Sequence, residues 1–257
     1  MSEPLVSFVV ANYNYSAYLE SCLLSAMNQT YKNILIVVID DASTDNSREI
    51  IERLAKTDSR IIPIYNEVGV GAAEARNIGI RAVWDKTDFF QILDADDCAM
   101  KDKVEILLSK ALLSPMIGAV YADYTIFNVE TGNTIIEYKE PYSLEALNQH
   151  CIVHSASLIS KNAFAQTAEK NEDGQISFYD KRLHGHVSRE YVGSCEDLDA
   201  FRRISEKFLF LHVPKPLSLV RVHKNNASQI EKVNKVWASN CKLMQEKAAQ
   251  RLVNRKG

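Results

Sequence analysis

The stretch ILIVVIDDASTDNS, residues 34–47, decides the fold. Ile34 to Ile39 is apolar and almost wholly β-branched, the composition of a strand covered on both faces, where neither side has room for polar groups. Asp40 and Asp41 end the run. Ser43, Thr44 and Asp45 then offer caps for a helix carrying Ile50, Ile51 and Leu54, so the stretch is one β-α unit. The same rhythm repeats on either side. Leu5 to Ala11 reads as a strand, followed by the turn Asn12-Tyr13-Asn14 and a helix with Tyr18, Leu19, Cys22, Leu23, Ala26 and Met27 at helical spacing. Ile61 to Tyr65 is a third strand, and Gly69 and Gly71 lead into a helix through Ala75, Ile78 and Ala82. Phe89 to Leu93 is a fourth strand, ending at Asp94-Ala95-Asp96-Asp97. Four such units predict an α/β fold with a Rossmann-like, mostly parallel sheet flanked by helices.

After Asp97 the pattern becomes mixed α+β: a helix over Lys103 to Leu113, a strand over Ile117 to Phe127, and a hairpin through Thr131-Gly132-Asn133 into Thr134 to Tyr138. Glu169 to Gln175 is polar and contains Gly174, which predicts a mobile loop; a helix follows from about Asp197 to Ile204. In the tail, Val233, Trp237, Cys241, Met244, Ala248 and Leu252 fall on one stripe of a basic amphipathic helix.

The 257 residues are 46% apolar and 25% charged, with a net charge of -3. Residues 231–257 hold seven Lys/Arg against two Glu, a net +5, so the rest of the chain carries -8. An acidic body argues against a nucleic-acid binder, which needs a basic face to displace counterions from phosphates. The longest apolar run, Ile34 to Ile39, is far short of the roughly 20 residues of a membrane-spanning helix, and MSEPLV is no secretory start. Five scattered cysteines without a CxxC pair suit a reducing compartment. The expected location is therefore cytoplasmic. The tail leaves two alternatives open: peripheral contact with an anionic membrane face, or packing on the body or on a second copy in a homodimer.

In an open parallel sheet, ligands bind beyond the carboxyl ends of the strands. Asn12-Tyr13-Asn14, Asp40-Asp41 and Asp94-Ala95-Asp96-Asp97 should share that rim. Acids gathered so closely repel one another unless a cation comes between them, and hard carboxylate oxygens suit Mg²⁺ or Mn²⁺. Helix capping and turn formation are the plain alternative, stronger for Asp40 or Asp45 alone than for the three acids Asp94, Asp96 and Asp97 together.

The blocks LVSFVVANYN, VVIDDASTDNS, NEVGVGAAEARNIGI and QILDADD, with Cys195-Glu196-Asp197 and VRVHKNNAS further on, resemble in order and spacing the family 2 glycosyltransferases of GT-A fold. The resemblance implies a nucleotide-sugar-binding half over residues 1–98, an acceptor half over 99–225 and a C-terminal helix over 226–257. It implies transfer of a sugar, with inversion, from a nucleotide-sugar donor, a UDP-sugar, to a glycan or lipid-linked acceptor. By the same resemblance, Ala11, Tyr13, Asp41, Arg76, Asp94 and Ala95 contact the donor nucleotide. Tyr13 stacks on the uracil, Asp41 accepts from its imide, and Asp94 reaches the ribose. Asp40 supports the loop. Asp96 and His223 are the metal residues, the histidine reaching the metal or the diphosphate, with Mn²⁺ or Mg²⁺ as the ion. Asp197 is the general base, and His154 and Glu196 lie on the acceptor side. Each has a plain alternative: a core aromatic for Tyr13, a salt bridge to Asp40 for Arg76, a helix cap for Asp197, a buried core histidine for His154. Asp199 is a rival base.

Other classes fit less well. A phosphatase of the haloacid type continues its DxD to a threonine, where Cys98 stands here, and a dinucleotide fingerprint needs a third glycine after Gly69 and Gly71. A nucleotidyltransferase would carry a glycine-rich loop after the first strand. A catalytically inactive module that only binds nucleotide or glycan remains the alternative from another class.

Overall fold

The computed structural model describes residues 3–149, 152–171, 174–180, 184–187, 190–194 and 196–226, and residues 244, 246, 247, 250 and 251 of the tail. β1 (Val6–Asn12) pairs in parallel with β2 (Ile34–Asp41) and with β4 (Phe89–Ile92), and β2 pairs in parallel with β3 (Ile61–Asn66). The crossovers are α1 (Ser16–Met27), α2 (Ser47–Ala55) and α3 (Ala72–Ala82). Alternate residues of β1 and β2 feed two separate cores. Val9, Val37 and Ile39 pack with Ile80 of α3, whereas Phe8, Val10, Ile36 and Val38 pack with Leu19, Leu23 and Ile51 of α1 and α2. That two-sided burial is why the run from Ile34 is apolar throughout. Gly79 lets α3 lie close: a Cβ there would stand 2.5 Å from Ile39 Cδ1 and 2.9 Å from Val9 Cγ1.

The sheet continues without a break into the second half. β8 (Leu158–Ser160) lies antiparallel between β4 and β6 (Ile117–Asn128), and β6 pairs in parallel with β13 (Leu209–Val222). β13 also holds β5 (Cys98–Ala99), and β7 (Thr134–Glu137) folds back on the far end of β6. Among the described residues this gives a nine-stranded sheet in the order β3-β2-β1-β4-β8-β6-β13-β5, with β7 beside β6. Because β8 is reversed relative to both neighbours, β6 and β13 run in the direction of β4. The carboxyl ends of β1, β2, β4 and β13, and the loop entering β8, therefore open on one rim. Among the described residues four helices, α4 (Lys103–Ala111), α5 (Leu144–Gln149), α6 (Lys161–Thr167) and α7 (Glu196–Ser205), cover the second half.

Three expectations need correction. The described residues on either side of 172–173 are paired where a loop is expected: β9 (Glu169–Lys170) pairs with β10 (Ile176–Ser177), and the Asn171 side chain accepts the Gln175 N–H at 2.8 Å while Gly174 takes φ +75°. Asn and Gly turn chemistry builds a hairpin there despite the polarity. Asp45 serves two helices rather than capping one, its oxygens accepting Ser47 N at the start of α2 and Ser16 N at the start of α1. Arg48, not Arg76, is the cation on Asp40, at 3.0 Å.

In the tail, Met244 is 1% exposed within the core cluster that includes Leu198, Phe201 and Ile204 of α7, so this part of the chain packs on the body. Val233, Trp237, Cys241, Ala248 and Leu252 lie outside the described residues. Among the described residues no helix is long and apolar enough to cross a membrane.

Candidate active site

The first wall of the cleft is the loop after β1 and β2. Tyr13 is half exposed on the rim. Asp40, fully buried, accepts from Asn12 Nδ2 at 2.9 Å, Ser43 N at 3.2 Å and Arg48 Nε at 3.0 Å, and so holds the loop together. Asp41 accepts from Asn66 Nδ2 at 2.8 Å, Val70 N at 2.9 Å and Gly71 N at 2.8 Å, which fixes the segment leading into α3, where Gly71 takes φ +85°. An ionised carboxylate has about four lone-pair sites, so capacity remains for a further donor. Ala11 is partly exposed at the end of β1. Ala95 is 1% exposed with its methyl in the core, so only its backbone can meet a ligand.

Arg76 on α3 forms the floor. Its Nη2 donates to Asp94 Oδ1 at 2.8 Å, and Nη1 donates to Glu196 Oε1 at 2.9 Å and Asp197 Oδ1 at 3.3 Å. One guanidinium thus joins the end of β4 to the start of α7, with the Tyr179 ring 5.7 Å away. Burial works against the charge on Arg76, but the carboxylates of Asp197, Asp94 and Glu196 outweigh it and hold the cation well above its ordinary range. Burial likewise pushes the Asp94 carboxyl up, and Arg76, His154 and the Ser155 hydroxyl, 2.9 Å from Oδ2, together pull it below its usual value.

Asp96 and Asp97 behave in the opposite way. Burial and the neighbouring acids raise both, Asp97 well above the carboxylate range. Asp97 accepts the Arg221 N–H at 3.0 Å, and Arg221 donates to the Asp96 carbonyl at 2.7 Å. Asp96 Oδ2 is met by Asn226 Nδ2 at 2.9 Å and His223 Nε2 at 3.2 Å. The His223 ring stacks on Tyr18 at 4.5 Å, with Tyr15 edge-on at 5.8 Å. Its Nδ1 accepts the Asn225 N–H at 3.3 Å, which leaves the proton on Nε2. Below the acids, burial lowers Lys103 to about 7 although Asp97 and Asp94 favour its charge, and its Nζ donates to Ser218 Oγ at 2.7 Å.

On the other wall the candidates separate. The Asp197 side chain is 22% exposed; that of Glu196 is 1% exposed and turned to Arg76. Asp199 is fully buried on Arg203 at 2.9 Å and does not face the cleft. His154 packs on Tyr124 at 4.7 Å, accepts the Ala156 N–H at 3.1 Å, and burial lowers its pKa to about 4 despite the pull of Asp94. It is a neutral ring beside the acids.

Among the described residues no three His, Cys, Asp or Glu side chains converge as a metal cage. A Mg²⁺ or Mn²⁺ site of one or two carboxylates completed by substrate phosphates needs no such cage. Burial, and after it the neighbouring acids, raise Asp96 and Asp97, and a cation beside these hard carboxylate oxygens would favour their ionised forms, so the donor set fits.

Residues 7–167 match the family model "Glycosyl transferase family 2", more than half of the chain. The chain belongs to glycosyltransferase family 2. Two uncharacterized glycosyltransferases of Haemophilus influenzae are similar to it, one 38% identical over 88% of this chain and 68% of its own, the other 28% identical over 96% and 91%. The chondroitin synthase of Pasteurella multocida is 28% identical over 88% of this chain, which spans only 21% of that enzyme. Among solved structures, S. aureus TarS 1–349 in complex with UDP superposes with TM-score 0.64 at 16% identity, covering 85% of this chain and 61% of that one. The mannosyltransferase PcManGT from Pyrobaculum calidifontis, in complex with GDP-Man and Mn²⁺, gives 0.59 at 21% identity, over 88% and 59%. These likenesses show that the glycosyltransferase has the GT-A fold.

Several residues that shape the site escape a sequence reading. Ser155 and Tyr179 reach Arg76 and Asp94 only through the fold, and nothing in their local sequence marks them. Tyr18 reads as a core position of α1 yet stacks on His223. Asn226 was legible, three residues after His223. Asn77, beside Arg76, anchors the segment before α7, accepting Phe178 N and Tyr179 N at 3.0 Å, and does not face the cleft.

Proposed function

We propose that the chain transfers a sugar from a UDP-sugar to a hydroxyl of a glycan or lipid-linked acceptor, with inversion at the anomeric carbon. The observation that carries this reading is the Arg76 bridge, which ties Asp94 on the nucleotide side to Asp197 on the opposite wall. A single displacement needs a base on the far side of the sugar from the leaving group, and Asp197 is the carboxylate of α7 left partly open to the cleft. Tyr13 stacks on the base, Asp41 accepts from it, and Asp94 accepts from the ribose. Asp96 would hold Mn²⁺ or Mg²⁺, whose chemistry there is to neutralise the departing diphosphate. His223 in its present tautomer donates from Nε2 to Asp96 or to a phosphate, and it would ligate a cation only after moving that proton to Nδ1.

The names of relatives support the coarser part: TarS was crystallised with UDP and with UDP-GlcNAc, and two relatives are chondroitin and hyaluronan synthases, makers of polysaccharide. The test is Asp197→Asn, assayed as UDP release from a panel of UDP-sugars with Mn²⁺. Turnover should fall by roughly 10²–10⁴-fold while the Kd for UDP stays within about twofold. Wild-type turnover in that variant would remove Asp197 from the mechanism.

A further inference from the structure

Asp199 stands two residues after Asp197 on α7 and is fully buried; Arg203 of the same helix donates to it at 2.9 Å, and two cations of the tail stand close by. Besides Arg203, Lys247 Nζ lies 3.7 Å from its carboxylate and Arg251 Nη1 3.8 Å. The same two tail cations reach across the surrounding elements. Lys247 Nζ pairs with Asp180 at 2.6 Å and Glu169 at 2.9 Å, and Arg251 Nε with Glu206 at 3.2 Å. Met244 sits one helical turn before Lys247 in the core cluster that holds Leu198, Phe201 and Ile204 of α7. The described part of the tail therefore meets the helix that bears Asp197 through an apolar plug at Met244, and Lys247 ties it by hydrogen bonds to Asp180 and Glu169 with Asp199 3.7 Å away.

We propose that Lys247 is a positioning residue: it locks the C-terminal segment onto α7 and so holds Asp197 at the cleft. The inference rests on Asp197 being the general base. Asp197 is held by Arg76, and the same helix is braced by Met244 against its apolar face and by Lys247 near Asp199. A base displaced by an ångström loses much of its rate advantage while the nucleotide subsite around Asp41 and Asp94 is untouched. The clamp therefore bears on kcat and not on donor affinity.

The experiment compares the full chain with Lys247→Met, Lys247→Arg and Asp197→Asn, reading amide hydrogen exchange, UDP release from UDP-sugars with Mn²⁺, and the Kd for UDP. Lys247→Met should speed exchange across residues 196–205, leave residues 6–12 and 34–41 as in the wild type, and lower kcat about tenfold with KM and the UDP Kd within about twofold. Lys247→Arg should restore both. Unchanged exchange at 196–205 in Lys247→Met overturns the clamp whatever the donor. So does faster exchange with wild-type kcat, which would make the tail a stabilising strap only. If Asp197→Asn abolishes release while Lys247→Met does not alter it, the clamp alone fails; wild-type release in Asp197→Asn overturns the base assignment and this inference with it.

Discussion

Replacing Arg76 by methionine keeps most of the side-chain volume and removes the charge that three carboxylates share. In the wild type that guanidinium is 8% exposed and lies 2.8–3.3 Å from Asp94, Glu196 and Asp197. Breaking a buried ion pair by deleting one partner costs about 3–5 kcal/mol, because the remaining charge stays buried without compensation. For a chain of this size that corresponds to a fall in Tm of about 6–20 °C. The pH dependence follows from Asp94. Burial pushes its carboxyl up and Arg76, with His154 and Ser155, pulls it below its ordinary value, so in the wild type its contribution is present at neutral pH and is lost as pH falls through the lowered value. Without Arg76 the burial cost is opposed only by the weaker pull of His154 and Ser155, the folded state favours the protonated acid more, and the deficit should be largest at neutral pH and shrink toward pH 5. Urea unfolding of both proteins at pH 7.5 and 5.5 measures this. A deficit below about 1 kcal/mol at pH 7.5, or one that grows as the pH falls, would refute the idea that one cation holds the two walls together.

Three further predictions concern the same rim and its support. Asp41→Asn keeps the shape but cannot accept all of the N–H groups of Asn66, Val70 and Gly71; it should cost about 1–3 kcal/mol in stability and weaken UDP, both readable in one thermal titration. His154, at about 4, is neutral when folded, so its share of stability is complete above the ordinary histidine value of about 6.5 and is lost as pH falls from there toward 4. An NMR titration should place its midpoint below pH 5, and a midpoint near 6.5 would contradict the burial argument. Gly118→Ala would bring a Cβ to 2.5 Å from Phe208 Cβ and 2.8 Å from Ile204 Cγ2 beneath α7, and should lower stability by about 1–3 kcal/mol in a denaturant melt.

The first half of the fold was legible because its signals are local. A doubly buried strand must be apolar throughout, and each β-α unit announces itself through its own period and its own polar turn. The second half depends on pairings that no local pattern encodes: β8 is only three residues long, yet its reversed insertion between β4 and β6 brings His154 and Ser155 to the rim of Asp94, and the pairing of β13 with β6 and β5 brings His223 to Asp96. The acids can be picked out from spacing and His223 from its block, but Ser155 and the true partners of Arg76 cannot. Arg76 reads equally well as a mate for Asp40, and only the fold shows that Arg48 takes that place and frees Arg76 for α7. Glu196 and Asp197 are adjacent in sequence and differ in exposure because α7 turns one inward. The strand pair at Glu169 is hidden in the sequence by its polarity, although Asn171 and Gly174 are turn formers.

The proposed UDP-sugar site, completed by a divalent cation at Asp96, is tested by the unfolding temperature with UDP, with and without Mn²⁺, in the wild type, Asp96→Ala and Asp197→Asn. UDP at about 100 times its Kd stabilises by about 2.7 kcal/mol, a rise of roughly 5–10 °C. The account predicts that rise only with Mn²⁺ present, retained in Asp197→Asn and lost in Asp96→Ala. An equal rise in Asp96→Ala, or none with UDP and Mn²⁺ in the wild type, would contradict it.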